Sequence, residues 1–176
     1  VATRTEQIRL LLAIRMGELV APQVVRQVAT LQQSAGGRLT VNIISSDLPG
    51  ERLESSARYR RSREALEILK LCWSQDEVQD DGEFYKLDLP WTEPARPYQQ
   101  NGGPLLYFGG ISPDAVQLCA DHCDVFLMWP ETEQQLADSM HTVAGLAAKS
   151  ERIVDFGLRI HVIVRNTESE ARDAAN

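Results

Sequence analysis

Five short aliphatic and β-branched runs alternate with amphipathic helical patterns along this chain, and that alternation limits its fold more than any other feature. The runs cover 9–15, 39–45, 104–109, 124–129 and 156–164. Apolar residues recur at helical spacing over 22–34, 55–73, 113–122 and 132–149, and a last helix begins within 167–175. Parallel strands need a crossover long enough to hold a helix, so strand–helix alternation predicts an α/β fold with a parallel sheet of βα units. The chain of 176 residues is expected to be one domain, 1–176, with an excursion at 74–103. That excursion carries Asp81-Gly82, Pro90, Pro94, Pro97 and Gly102-Gly103, while GEFYKLDL within it alternates like a short strand.

The helix ends are marked by local chemistry. Thr132 with Gln135, and Thr167 with Glu170, have capping-box spacing. Pro22 and Pro113 suit a first turn, where a missing N–H costs nothing. Gly36-Gly37 closes the first helix, as a left-handed C-cap does.

The run FGLRIHVIVR (156–165) sets Arg159 and His161 two residues apart among aliphatics. Alternate residues of a strand share a face, so the two side chains are expected to emerge together. Buried charge is costly unless paired or used, which makes the pair a candidate site. Structural pairing of Arg159 with a carboxylate, and a satisfied His161, is the other reading.

In LYFGGISPDA (106–115) a strand runs through Gly109 and Gly110 into a helix capped by Ser112. Glycines admit a close ligand, and the helix amino end offers free amides and a positive dipole end, so the segment suits a phosphate. An ordinary Ser–Pro cap after a tight turn fits equally well. Asn42 interrupts TVNIIS at the carboxyl half of its strand, where ligands gather in parallel βα folds. Its amide could bond a planar heterocycle or neighbouring backbone. Arg58, Arg60, Arg61 and Arg63 read as a solvated helix face, with Tyr59 among them able to reach an anion. Trp129 either lines a pocket mouth or caps the core.

The formal net charge of −7 argues against a phosphate-backbone partner, so no nucleic acid is expected. No apolar run approaches the roughly 18 residues of a membrane span, and no membrane partner is expected. The start VATRTEQIRL has no basic-then-apolar signal pattern. Three cysteines, Cys72, Cys119 and Cys123, form no paired framework, which favours a reducing, cytoplasmic location. Cys119, His122 and Cys123 lack the second ligand pair of a zinc site, and buried free thiols account for them; no metal is expected.

Taken together, LLLAIR, VVRQVATLQQSAGGRLTVN, ARY, PLLYFGG and FGLRIHVIVRNTESEA resemble the bacterial luciferase-like flavin-dependent monooxygenases, nearest the alkanesulfonate monooxygenases. The resemblance spans nearly the whole chain, in the family's order. It implies an incomplete (β/α)8 TIM barrel with about five parallel strands present and helices outside. It implies reduced flavin mononucleotide (FMNH2) as cofactor and activation of O2 as a peroxyflavin. It also implies oxidative desulfonation of a small organosulfonate to sulfite and an aldehyde. An NAD(P)H-dependent FMN reductase and a homo-oligomeric state come with it. By this resemblance Arg159 and His161 are catalytic, steadying charge and orienting groups or moving a proton. Asn42 faces the isoalloxazine, Gly109 and Gly110 line the cofactor loop, and Tyr59 and Ser112 contact phosphate. Arg159 and His161 are then expected to share the barrel interior with Asn42, with Leu158 and Ile160 against outer helices.

Three departures bear on substrate more than on flavin. Ile111 stands where a second serine is common, Ser45-Ser46 replaces Thr-Gly, and the 47–58 loop is short. A complete barrel of this kind takes about 250 residues. An incomplete chain, inactive alone and without an initiator Met, is therefore the expectation. Two further readings compete: a small five-stranded flavodoxin-like FMN domain, and a non-catalytic flavin-binding or assembly paralogue of the barrel family.

Overall fold

The computed structural model describes residues 1–90 and 102–175, apart from the side chains of Leu89 and Pro90; Pro94 and Pro97 lie outside the described residues. Strands β1 (Leu10–Arg15), β2 (Leu39–Ile44), β5 (Leu106–Phe108), β6 (Val125–Met128) and β7 (Asp155–Leu158) form one sheet. Its spatial order is β1-β2-β5-β6-β7, and every neighbouring pair is parallel. Helices α1 (Ala21–Ser34), α2 (Ser55–Ser74), α3 (Pro113–His122), α4 (Glu133–Lys149) and α5 (Glu168–Asp173) follow the strands. Strands β3 (Glu77–Asp81) and β4 (Lys86–Pro90) make a separate antiparallel hairpin within the excursion.

The sheet has two chemically different faces. Ile14, Ile43, Phe108, Phe126 and Phe156 stand opposite one another across the five strands. They pack with Val24, Val28, Leu66, Leu69, Leu118, Cys119 and Val143, which come from α1 to α4. All four helices therefore cover the same face. A flavodoxin-like sheet inserts its first strand centrally and takes helices on both faces. Here β1 is at the edge and the strands lie in chain order, which is the barrel arrangement. The opposite row, Ala13, Asn42, Tyr107, Val125 and Asp155, points away from the helices, to the face that is a barrel's interior.

Both expected capping boxes form, at Thr132 and Thr167. Gly36 and Gly37 take φ of 59° and 81° at the end of α1. The hairpin rests on α2: Glu64 accepts from the Phe84 and Tyr85 amides, and Arg60 forks onto Glu83.

Three expectations are corrected. The strand predicted over 156–164 ends at Leu158, and its last backbone bond runs from Arg159 N to Met128 O at 2.8 Å. Partner strand β6 stops at Met128, just before Trp129-Pro130, so nothing continues the ladder. Leu158 and Ile160 do not meet outer helices; they are 50% and 57% exposed, and α5 buries no residue. The arginine run is also not uniformly solvated, since Arg61 is only 8% exposed.

Candidate functional site

The candidate residues come from four strand ends and one helix. After β5 the chain passes Gly109, Gly110 and Ile111 to Ser112, the N-cap of α3. The Ser112 hydroxyl accepts from Ala115 N at 3.2 Å and donates to the Tyr59 hydroxyl at 3.1 Å. Tyr59 comes from α2 and meets Phe108 edge-on, with ring centroids 6.3 Å apart. Two residues 53 positions apart thus form one hydroxyl relay at the positive end of a ten-residue helix.

The two glycines serve packing as well as access. A Cβ at Gly109 would stand 2.6 Å from the Leu127 carbonyl oxygen, so strand contact alone demands glycine. At Gly110 it would meet Ala115 Cβ at 2.7 Å and Tyr59 Oη at 3.8 Å, inside the cradle. Ile111, 90% exposed, points its side chain to solvent beside it. A crevice of about 270 Å³ adjoins, lined by Gly110, Ile111, Met128, Trp129, Leu136 and Thr142 among others.

Trp129 joins the two polar residues beyond β7. The Arg159 guanidinium carbon lies 4.6 Å from the centroid of the Trp129 ring, a cation–π contact. His161 stacks on the same indole at 6.0 Å between centroids and 23° between planes. A Cβ on Gly157 would meet Leu127, Val125 and Tyr107, of which Val125 and Tyr107 lie in the Asn42 row. Arg159 follows Gly157 on that face. His161 lies beyond the ladder, held by Trp129 rather than by strand pairing. Asn42 is three strands from β7, and its Oδ1 is buried with no hydrogen-bond partner among the described residues.

Sequence reasoning missed the frame on the other side. Arg61 forks onto Glu51, with Nη2 to Oε2 at 3.0 Å and a second bond from Nη1 to Oε1. These bonds hold the Glu51 carboxyl below the usual carboxylate range. Arg58 donates to Asp47 at 2.6 Å and to the Leu53 carbonyl at 2.7 Å, and Ser62 donates to Ser45 at 2.9 Å. The loop after β2 is therefore strapped to α2. Acidic residues ten and eleven positions before the arginines were the available signal.

A wider cavity, about 1320 Å³, opens at the opposite ends of the strands, near Arg9, Arg38, Lys70 and Arg152. Arg38 spends its guanidinium on the Ala2, Thr5 and Ile8 carbonyls, and Arg152 on Asp121 and Cys123 carbonyls. Parallel βα folds place chemistry at the carboxyl ends, so the smaller crevice is the relevant one. The three cysteines are buried free thiols, and burial pushes Cys72 up to about 11. No helix among the described residues is long and apolar enough to cross a membrane.

A model of the luciferase-like monooxygenases matches residues 1–176. The chain belongs to the luciferase-like monooxygenase family. It is 54% identical over 172 residues to a sulfoquinovose monooxygenase of Agrobacterium fabrum, covering 98% of this chain and 45% of that protein. A sulfoquinovose monooxygenase of Novosphingobium aromaticivorans is 43% identical over 184 residues, covering 100% and 50%. The chain thus spans about half the length of the curated relatives it matches. Among solved structures, an EDTA monooxygenase from Chelativorans sp. superposes with a TM-score of 0.87 at 15% identity, over 99% of this chain and 47% of that one. A monooxygenase from Streptomyces bottropensis gives 0.84 at 19%, over 98% and 55%. Both of these monooxygenases of known structure therefore share this fold. The residues present fit a mononucleotide on two observations of their own: the hydroxyl relay at a helix amino end, and the orphaned Asn42 oxygen on the barrel-interior face.

Proposed function

We propose that the full-length protein is an FMNH2-dependent monooxygenase that desulfonates an organosulfonate of the sulfoquinovose class. The observation that carries this reading is the grouping of Arg159 and His161 on one indole at the carboxyl end of the sheet. A guanidinium held over an aromatic plane keeps its N–H fork free for an anion, which a sulfonate supplies. Identity to named sulfoquinovose monooxygenases supports the substrate class.

FMNH2, delivered by a separate NAD(P)H-dependent reductase, supplies the two electrons with which O2 is activated. The balance is R–CH2–SO3⁻ + O2 + FMNH2 → R–CHO + HSO3⁻ + H2O + FMN. Ser112 and Tyr59 bind the phosphate, Gly109 and Gly110 keep the cradle open, and Asn42 bonds the ring system. Arg159 binds the sulfonate and steadies charge that grows as the C–S bond breaks. His161 orients the reacting groups or moves a proton between them. The chemistry belongs to a homo-oligomer of the full chain; residues 1–176 alone should not turn over.

The test supplies full-length protein with a flavin reductase, NADPH, FMN and sulfoquinovose, and assays sulfite. Release of sulfite is expected, and Arg159→Ala should lower its rate by about 10²-fold, the scale for losing one charge partner in a transition state. No sulfite from any sulfonate, or an unaltered rate in the variant, would sink the reading.

A further inference from the structure

The last residue of β1, Arg15, has no part in the site as described, yet its placement is that of a ligand-facing side chain. Leu10, Leu12 and Ile14 of the same strand pack into the helix-side core, so Leu11, Ala13 and Arg15 point to the other face. Leu11, 52% exposed, agrees with this parity. Ala13 stands opposite Asn42 and Arg15 opposite Ile44, which puts Arg15 one row beyond Asn42 on the adjoining strand, nearer the carboxyl ends. Its Nη1 reaches Glu18 at 3.3 Å in an exposed contact, while its Nε–H is buried with no acceptor among the described residues.

Two neighbouring side chains on one face thus hold unsatisfied groups of opposite kind: a cationic donor on Arg15 and an acceptor on Asn42. Buried polar groups without partners are rare in folded proteins, and a pair of them implies a ligand. A donor beside an acceptor complements a cyclic imide edge, C(=O)–N–H, as found in the pyrimidine ring of a flavin. We propose that Arg15 and Asn42 together read this edge, and that the Arg15 charge makes the site prefer reduced over oxidised flavin. Reduced flavin is an anion at neutral pH with its charge spread over that ring, so a guanidinium there discriminates between the two redox states. The inference rests on the flavin reading above and assigns Arg15 a role separate from Arg159, which lies at the far edge of the sheet.

The test is anaerobic titration of the full-length protein with oxidised and with reduced FMN. Arg15→Gln should weaken reduced FMN about tenfold and oxidised FMN by no more than about threefold, the effect of one charge-assisted contact. Arg15→Lys should restore most of the preference, and unaltered thermal melting in both variants excludes a folding defect. Equal loss for both redox states, no loss at all, or a loss confined to the sulfonate would overturn the proposal. Wild-type protein that binds reduced FMN but releases no sulfite would defeat only the desulfonation reading. Wild-type protein that binds neither flavin would defeat both.

Discussion

At the scale of single residues, the candidate site is built from hydroxyls and guanidinia whose partners lie far away in the chain. Ser112 caps α3 and also bonds Tyr59, so one oxygen serves both the helix and the candidate site. Ser112→Ala removes the relay and the cap together, and the two losses are separable. Binding of FMN to the full-length protein should weaken about tenfold, one hydrogen bond to a charged group, while riboflavin binding changes little. Calorimetric titration with both ligands checks this, because a purely structural defect would weaken both alike. Stability should fall by about 1 kcal/mol through the lost cap alone.

Among the elements, α2 is the organiser of the carboxyl end. It bonds the hairpin through Glu64 and the loop after β2 through Arg58, Arg61 and Ser62. Gly17 makes this possible: it sits at φ 101°, and a Cβ there would stand 2.6 Å from Arg61 Cζ. Gly17→Ala should therefore cost about 1–3 kcal/mol, from left-handed strain plus displacement of the buried fork. A lower denaturant midpoint with unaltered m-value is the expected readout, and an unchanged midpoint would mean that the Arg61 strap contributes little. The helices themselves were legible, with Pro22, Pro113 and both capping boxes marking starts that differ from expectation by a residue at most. The end of β7 was not, because its aliphatic run continues past Leu158 while its partner strand does not.

Over the whole molecule, the outer helices are locked by a polar cluster remote from the candidate site. Arg63 on α2 donates to Asp121 at 2.9 Å and approaches His122 Nε2 at 3.1 Å, so the imidazole accepts and is neutral. Glu67 lies 3.5 Å from the same nitrogen and would pair with it only if it were charged. Burial, with Lys70 and Arg63 adding to it, pushes His122 down to about 4. An unfolded histidine near 6.5 binds its proton earlier, so the unfolded state takes up more protons between these values. Stability should then fall as pH drops from about 6.5 to about 4, by at most about 3 kcal/mol from this group. Denaturant melts of wild type and His122→Gln across that range check it: the variant's curve should be flatter, and parallel curves would refute the assignment.

The sequence by itself determined the order of strands and helices, the caps, and the two-residue spacing that puts Arg159 on the Gly157 side of β7. These are local properties, fixed by backbone sterics, capping chemistry and side-chain period. It also carried enough family likeness to name Tyr59, Ser112 and Asn42 as candidates. Only the tertiary structure brought Tyr59 to Ser112, laid Arg159 and His161 on Trp129, and turned Arg61 inward onto Glu51. It alone left Arg15 and Asn42 with unsatisfied polar atoms on one face. Such pairings depend on register between strands and on how helices settle against the sheet. No local pattern encodes them, because each residue's preference is satisfied equally well with or without its distant partner.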